Sequence, residues 1–387
     1  MMNGLSRVLW ARVWAIALVQ GGVMVMWLIY RLYLGALLKN WGFSAELAAG
    51  LLTVEMVLGL VMEPLFGALS DQQQRSLGTR FPLIVLGVIL SAFLFLMLPL
   101  LLFFPITEAT RFLLPLVAIA WAIAMTLFRS PTMVLLGQCA PAAQLPWAMG
   151  VISLVAGVLG AFRPPISQWL LSLGSLNCFL LGSLVLVGAS IFLKQVLPPI
   201  TISPEEAVDT PLPLPWMTLL NIALLAIAVT WGSRILGLVL TNQMQSINNG
   251  FMGLQLLLAV IVLPVGWLIQ KTDQIMALVA ALGLLTLTLV GLVNGLWLPI
   301  LAFCWVVGSS ILNNGLIPLF LNILKCHWIG LGIGLYFGVS GMAMEIFTRY
   351  WATQNRQIQE TLGVSMLLIA ALLCIQYLPQ IKRLSFR

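Results

Sequence analysis

The chain has 387 residues, of which 61% are hydrophobic and only 7% are charged, and its mean hydropathy is +1.09. Water-soluble domains of this length do not have such a composition, so soluble enzymes and soluble binding domains are excluded. The formal net charge of +7 does not indicate a nucleic-acid partner, because the basic residues stand singly at the ends of apolar segments. The composition predicts an all-α polytopic membrane protein, since a bilayer offers the backbone no hydrogen-bond partners.

Apolar runs long enough to cross a bilayer recur along the whole chain. A span needs about 20 residues, and runs bounded by glycine, proline or charge predict twelve transmembrane helices. The even number places both termini on one side of the membrane. The predicted spans are residues 11–35, 45–69, 81–104, 112–138, 147–171, 175–197, 216–242, 249–270, 275–296, 298–323, 329–352 and 361–379.

The distribution of lysine and arginine predicts which side that is, because cytoplasmic loops carry an excess of both. With both termini cytoplasmic, the inner loops and ends hold more basic residues than the outer ones. The inner set is Arg7, Arg12, Arg75, Arg80, Lys194, Lys271, Lys325, Lys382, Arg383 and Arg387; the outer set is Arg31, Lys39, Arg111, Arg349 and Arg356.

A proline-rich segment separates the sixth and seventh predicted spans. Residues 198–215, PPITISPEEAVDTPLPLP, can be neither helical throughout nor buried in lipid. We interpret them as a cytoplasmic linker between an N-terminal six-helix bundle, 1–197, and a C-terminal six-helix bundle, 216–387. Two such halves are typical of secondary transporters, in which one half rocks against the other around a substrate site near the membrane centre.

Acidic residues inside predicted spans indicate function, because a charge at the bilayer centre costs about 2.5 to 3.5 kcal/mol on insertion scales. Glu55 lies near the middle of the second span, where desolvation can hold a carboxyl group neutral so that it takes up and releases a proton. The alternative is a structural ion pair with an arginine of a neighbouring helix. Glu63, beside Pro64, is a second proton candidate, with a role in bracing the adjoining loop as its alternative.

Arginines and amides inside the spans are candidates for lining a substrate cavity. The planar guanidinium group suits carboxylate, phosphate or hydroxyl contacts, and Gly315 and Pro318 predict an interruption of the helix that carries the two asparagines. The alternative for all of them is bracing between helices. The candidates are Gln20, Arg129, Arg163, Arg234, Asn313 and Asn314. Glu345 and Arg349 stand four residues apart and predict an intrahelical ion pair at the outer end.

The sequence contains no motif for nucleotide or cofactor chemistry. It lacks the phosphate-binding G-x-x-x-x-G-K-[ST], a G-x-G-x-x-G that opens a helix, and a Ser/His/Asp set. The single histidine, His327, follows Lys325 and Cys326, and no partner ligands for a metal are evident. We therefore expect neither enzymatic activity nor a cofactor nor a metal.

Two segments carry a family resemblance. GALSDQQQRSLGTRFP, Gly67 to Pro82, resembles the loop between spans two and three of the major facilitator superfamily, in the version of the glycoside-pentoside-hexuronide and sucrose-type cation symporters. FRSPTMVLLGQCAP, Phe128 to Pro141, is similar to a segment of bacterial members of that branch. The resemblance implies a twelve-helix transporter fold with a cytoplasmic gate made by Gly67, Ser70, Asp71, Arg75, Gly78, Arg80 and Pro82.

The sequence departs from that branch at several positions, one of which belongs to ion coupling in the sodium-linked relatives. Of the arginine run in the loop only Arg80 remains, and Gln138 stands where an acidic residue is expected. Glu63 matches the acid of helix two that contributes to cation coupling, but its usual partner position holds Gly59. Gly59 at the partner position argues against a sodium site, and proton coupling through Glu55 is the substitute hypothesis.

These observations together predict proton-coupled symport of a small polar solute, a sugar or a glycoside, by alternating access. One alternative is export of an amphipathic compound. The other follows from a similar S-D loop in photosynthetic pigment-complex assembly proteins, and would make the chain a non-transporting assembly factor with a membrane-protein or pigment partner. The fourteen tryptophans suit either, because aromatic rings stack on sugars and line membrane interfaces. The expected location is an inner, plasma or thylakoid membrane.

Overall fold

The computed structural model describes residues 8–105, 107, 110–197, 213–244, 250–351 and 354–377. Within these ranges the chain is helical and forms no β-strand. Most of the predicted linker, residues 198–212, lies outside the described residues. The same holds for four of the basic residues used for orientation: Arg7, Lys382, Arg383 and Arg387.

Thirteen α-helices occupy the described residues, together with short 3-10 segments and a π-helical turn at Phe347–Trp351. The first seven are α1 Trp10–Asn40, α2 Ala45–Leu77, α3 Phe81–Leu100, α4 Leu113–Val134, α5 Leu145–Ala161, α6 Arg163–Leu173 and α7 Ser175–Val196. The other six are α8 Trp216–Gln243, α9 Gly250–Ile269, α10 Gln274–Val293, α11 Leu298–Ile323, α12 Ile329–Ile346 and α13 Arg356–Ile375.

Twelve of the described helices are long and apolar enough to cross a membrane, which confirms the predicted number of spans. The fifth predicted span is divided, because α5 ends at Ala161 and α6 begins at Arg163. Pro164 and Pro165 explain the break, since prolines lack the N–H that would continue the α5 hydrogen bonds but fit the first turn of a new helix.

The prediction that Gly67 to Pro82 is a loop was wrong for most of its length. Helix α2 continues to Leu77, and only residues 78–80 connect it to α3. Glutamine and arginine are good helix formers, so α2 can extend beyond the apolar part of its span. It ends at Gly78, whose φ of 70° places it in the left-handed region that favours glycine.

The predicted interruption at Gly315 and Pro318 was also wrong, because α11 is continuous from Leu298 to Ile323. A proline inside a membrane helix is tolerated when neighbouring groups satisfy the backbone carbonyls that it leaves free. Pro318 leaves the carbonyl oxygen of Asn314 without its helical donor, and the side-chain amide of Gln274, from α10, donates to the adjacent carbonyl oxygen of Gly315 at 2.8 Å.

The packing of α2 against α12 is the most extensive contact between helices, and it joins α1–α7 to α8–α13. The same two sets also meet where α5 packs against α9 and α11. Glycines allow the close approach of α2 and α12: a Cβ added at Gly67 would overlap the backbone of Gly330, and one added at Gly334 would overlap the backbone of Glu63. We call the end of the bundle with residues 78–80 the loop end, and the other the opposite end.

Candidate functional site

At the loop end, Asp71 of α2 binds the first turn of α12. Its carboxylate accepts hydrogen bonds from the backbone N–H of Gly330 at 2.9 Å and of Leu331 at 3.0 Å. The guanidinium group of Arg80 lies 2.6 Å from the same carboxylate and donates to the Ser70 hydroxyl at 3.1 Å. A negative charge at a helix N-terminus is favourable, and both Asp71 and Arg80 are buried. We call Ser70, Asp71, Arg80 and Gly330 the loop-end clamp.

The other residues of the predicted gate surround this clamp. Gly67 lies against Gly330, and Pro82 occupies the first turn of α3. The Ser130 hydroxyl of α4 donates to the carbonyl oxygen of Gly330 at 3.1 Å, so α4 also contacts the start of α12. Arg75 is exposed, and no ion pair involves it among the described residues.

A small central cavity lies between α1, α2, α4 and α12, farther along α2. Its volume is about 40 Å³, which is room for a few water molecules and less than a sugar occupies. Because α12 lines it with the three N-terminal helices, the cavity lies between the two sets of helices. Its lining includes Trp27, Glu55, Glu63, Met125, Arg129 and Phe337.

Glu55 lies in the wall of this cavity and is 3% exposed. One carboxylate oxygen accepts a hydrogen bond from the Tyr30 hydroxyl of α1, and the other has no hydrogen-bond partner. The predicted alternative of an ion pair between Glu55 and an arginine does not occur in the described structure. The ring of Tyr30 packs 4.5 Å from that of Trp121, which fixes the position of the hydroxyl group.

Glu63, the second carboxyl group of the cavity, pairs with Arg129 at 3.3 Å. Its other oxygen has no hydrogen-bond partner. Arg129 also lies over the ring of Phe337, 4.4 Å from the centroid, and its backbone carbonyl accepts from the Gln20 amide at 3.4 Å. Since Phe337 belongs to α12, Arg129 connects Glu63 to the C-terminal set of helices.

The remaining substrate-cavity candidates lie elsewhere. Asn314 is buried where α11 meets α9, and its side-chain amide donates to the carbonyl oxygen of Val262 at 2.6 Å. Asn314 therefore braces two helices, which was the alternative to lining a substrate cavity. Asn313 is exposed. Arg163 and Arg234 are also exposed, and neither is in the lining of the central cavity.

The predicted pair of Glu345 and Arg349 is present at the opposite end, with 2.7 Å between Nε and Oε1. It also reaches α2, since Arg349 donates to the carbonyl oxygen of Ala49 and the Thr53 hydroxyl donates to Glu345 at 3.3 Å. Arg349 lies in the π-helical turn that follows α12. The pair therefore connects the same two helices as the loop-end clamp.

Sequence reasoning missed Tyr30 and Phe337, whose partners lie far away along the chain. The available signal was Tyr30-Arg31, a polar pair inside a long apolar helix. A second cavity, of about 510 Å³, lies at the start of α1 and includes none of the predicted site residues. No three His, Cys, Asp or Glu side chains converge in the part of the chain that the structure describes.

Comparison with known proteins identifies the arrangement of the helices. No family model matches the sequence, and no curated protein shows significant sequence similarity to it. Solved structures do match, among them the human organic anion transporter MFSD10, with a TM-score of 0.66 and 15% identity over 94% of this chain and 99% of that one. The chain has the major facilitator fold.

Two further structures with this fold are similar over nearly their whole lengths. A bacterial homologue of the iron transporter ferroportin, in an outward-facing state with soaked iron, has a TM-score of 0.67 and 15% identity over 95% of this chain and 98% of that one. The proton:xylose symporter XylE, bound to 6-bromo-6-deoxy-D-glucose, has a TM-score of 0.65 and 13% identity over 95% of this chain and 96% of that one. At these identities the likeness concerns the fold, and the symporter branch stays a prediction.

Proposed function

We propose that this protein is a secondary transporter that couples the movement of a small polar solute to protons by alternating access. The observation that carries the proposal is the central cavity, where two buried carboxyl groups, Glu55 and Glu63, lie between the two sets of helices. Buried acids in a membrane are costly and are typical of proton pathways. Among the proteins that share the fold, XylE is a proton:xylose symporter.

The contacts of the two acids support different roles. Glu55 has an unpartnered oxygen, to which a proton can be added without breaking a hydrogen bond. Glu63 is paired with Arg129, and a proton on Glu63 would weaken that pair and release the guanidinium group. Because Arg129 lies over Phe337 of α12, its release would change a contact between the two sets of helices. Proton uptake is thereby coupled to the movement that exposes the cavity.

The moving parts in this proposal are the bundles 1–197 and 216–387, joined by 198–215. The distribution of basic residues supports a cytoplasmic loop end, with both termini on that side. The loop-end clamp then forms the cytoplasmic gate, which would open and close as Asp71 leaves and meets the start of α12. The solute proposed from the family resemblance is a sugar or a glycoside, for which Trp27 offers a stacking surface.

Uptake into proteoliposomes tests proton coupling. A panel of radiolabelled sugars, glycosides and small acids is added outside the liposomes, either with the outside solution more acidic than the inside or with equal pH on both sides. We expect one class to accumulate only with the gradient, and Glu55→Gln to abolish that accumulation because the proton-binding oxygen is replaced. Glu46→Gln is the matched control, since Glu46 lies on the same helix but is exposed; its uptake should equal that of the wild type.

Gradient-driven accumulation that survives in Glu55→Gln would contradict the proposed role of Glu55. If no solute moves and the protein co-purifies at fixed stoichiometry with pigment-binding membrane proteins, transport itself is wrong and the assembly-factor alternative holds. Gradient-driven exit of an amphipathic compound would instead establish export.

A further inference from the structure

The second cavity lies at the loop end, where the ends of three helices of the N-terminal set meet. Its volume of about 510 Å³ is within the range of about 300 to 1,000 Å³ that is usual for small-molecule sites. The start of α1, the start of α5 and the end of α7 form its described lining, which is residues 8–12, Gln144, Trp147 and Val196. It shares no residue with the central cavity.

Arg12 is the only charged residue among the described residues that line this cavity. Its Nε donates to the carbonyl oxygen of Val196 at 3.0 Å, which fixes the guanidinium group between α1 and α7. That hydrogen bond uses one of the five N–H donors of the group. No ion pair involves Arg12 in the part of the chain that the structure describes. A guanidinium group held in this way suits the oxygens of a phosphate, which it binds through charge-assisted hydrogen bonds.

Two tryptophan rings form an apolar part of the cavity wall. Trp10 and Trp147 pack edge to face, with 4.5 Å between the ring centroids and 82° between the ring planes. Each lies in the first turn of a helix that can span the membrane. Tryptophan is enriched at such helix ends, because its ring sits at the level of the lipid headgroups. The cavity therefore lies at the depth of the headgroups.

An exposed apolar face of α1 continues from the cavity towards the middle of the span. Ala11 lines the cavity, and Ala11, Trp14 and Leu18 are all exposed and follow one another at helical spacing. Trp27, which lines the central cavity, is nine residues beyond Leu18, or about two and a half helical turns. The exposed face therefore points away from the central cavity.

Helices α5 and α7 border this face on its two sides. A Cβ added at Gly21 would meet a side chain of α5, and one added at Gly22 would meet α7. At about 100° per residue, the directions of Trp14 and Leu18 lie between those of Gly21 and Gly22. The face is thus a shallow apolar strip between two helices, with the cavity at one end of it.

We infer that the cavity binds the headgroup of an anionic phospholipid, such as phosphatidylglycerol, with an acyl chain along the exposed strip of α1. Arg12 binds the phosphate oxygens, and the Gln144 amide offers hydrogen bonds to the headgroup hydroxyls. A free phosphate has the same oxyanion chemistry, but the apolar strip that adjoins the cavity fits a lipid. The described lining carries one positive charge and no negative one, which favours a lipid with net negative charge. The inference does not depend on the proposed function.

Native mass spectrometry of the delipidated full-length protein in detergent tests the site, because it gives a Kd for each lipid bound. Phosphatidylglycerol and phosphatidylcholine with the same acyl chains are titrated separately, and we expect the first to bind more tightly. Arg12→Gln should raise the Kd for phosphatidylglycerol about tenfold, since a charge-assisted contact is lost. Lys271→Gln is the matched control: Lys271 is also exposed at the loop end and lies 3.5 Å from the Trp267 ring centroid, but it lines no part of this cavity. Its Kd should equal that of the wild type.

A second variant tests the cavity without altering its charge. Ala11→Phe would fill part of the cavity and leave Arg12 and its hydrogen bond to Val196 in place. We expect it also to raise the Kd for phosphatidylglycerol about tenfold, whereas an arginine that only braced α1 against α7 would give no such effect. Ala36→Phe is the control, because Ala36 is exposed on α1 at the opposite end. Ala11→Phe decides the test if Arg12→Gln does not fold.

The inference would be overturned by an equal Kd for phosphatidylglycerol in the wild type and in Ala11→Phe. Equal affinity of the wild type for the two lipids would also overturn it, because the charge of the headgroup would then not be recognised. Inorganic phosphate, titrated by calorimetry, is the soluble probe. If it binds while phosphatidylglycerol binds no more tightly than phosphatidylcholine, the cavity is a site for a soluble anion and the lipid inference is wrong.

Discussion

The two ends of the molecule hold their charged side chains in opposite ways. At the loop end, Asp71 and Arg80 are buried, paired at 2.6 Å, and joined to the backbone of α12. At the opposite end, the ion pairs Glu345–Arg349 and Arg356–Glu360 are partly exposed. Arg31, Arg163 and Arg234 are exposed and form no ion pairs with the described residues. Desolvation makes an unpaired buried charge costly, so the buried pair at the loop end favours the contact between α2 and α12. Unpaired charges in contact with water remain free to bind something else.

The largest effect should follow from breaking the pairing at the loop end. We expect Asp71→Asn to reduce the free energy of unfolding by about 3 to 5 kcal/mol, because it leaves the buried Arg80 without a counter-charge. Unfolding in mixed micelles, followed by tryptophan fluorescence, measures the change. Asp273→Asn is the matched control: Asp273 also accepts two backbone N–H groups, but it is an exposed cap of α10. Asparagine caps a helix as well as aspartate does, so this substitution removes only an exposed charge and should cost about 0.5 kcal/mol or less.

Equal losses in Asp71→Asn and Asp273→Asn would mean that the loop-end clamp is no more than an ordinary helix cap. The contrast between the two ends of the molecule would then lose its energetic basis.

A smaller effect should follow from separating the two helices at the same end. Gly67→Ala places a Cβ against the backbone of Gly330, so α2 and α12 must move apart. We expect a loss of about 1 to 3 kcal/mol in the same unfolding measurement, the usual cost of overpacking. Gly50→Ala is the matched control, because Gly50 lies on α2 towards the opposite end, where an added Cβ meets nothing within 4 Å. It should stabilise the helix by about 0.5 to 1 kcal/mol; a gain of similar size in Gly67→Ala would show that the close approach is absent.

The smallest effect should come from the ion pair at the opposite end. Glu345→Gln removes a partly exposed i,i+4 pair, and such pairs contribute about 0.3 to 0.5 kcal/mol. The unfolding midpoint should therefore change little, and added salt should reduce even that difference because exposed charges are screened. A loss as large as that of Asp71→Asn would show that the opposite end is closed as firmly as the loop end.

The number and approximate bounds of the membrane spans were predictable from the sequence, because a bilayer imposes a local requirement for about 20 apolar residues. The break near Pro164 and the continuation of α2 to Leu77 were not predicted. Both depend on short-range helix chemistry that a hydropathy pattern does not resolve. Glu55 and Glu63 were identified as candidates because an acid inside an apolar run stands out regardless of its neighbours.

What the sequence alone determined is therefore the set of helices and the charges that they carry into the membrane. The sequence also predicted the pair of Glu345 and Arg349 within one helix, but only the tertiary structure decided which charged groups meet across different helices. The Tyr30 hydroxyl binds Glu55, and Asp71 meets the backbone of Gly330 across 259 residues. Arg31, which the sequence placed among the outer basic residues, lies 5.9 Å from the ring centroid of Trp27. Hydropathy is a property of each segment, whereas a pair or a cluster depends on how α1, α2, α8 and α12 pack against one another.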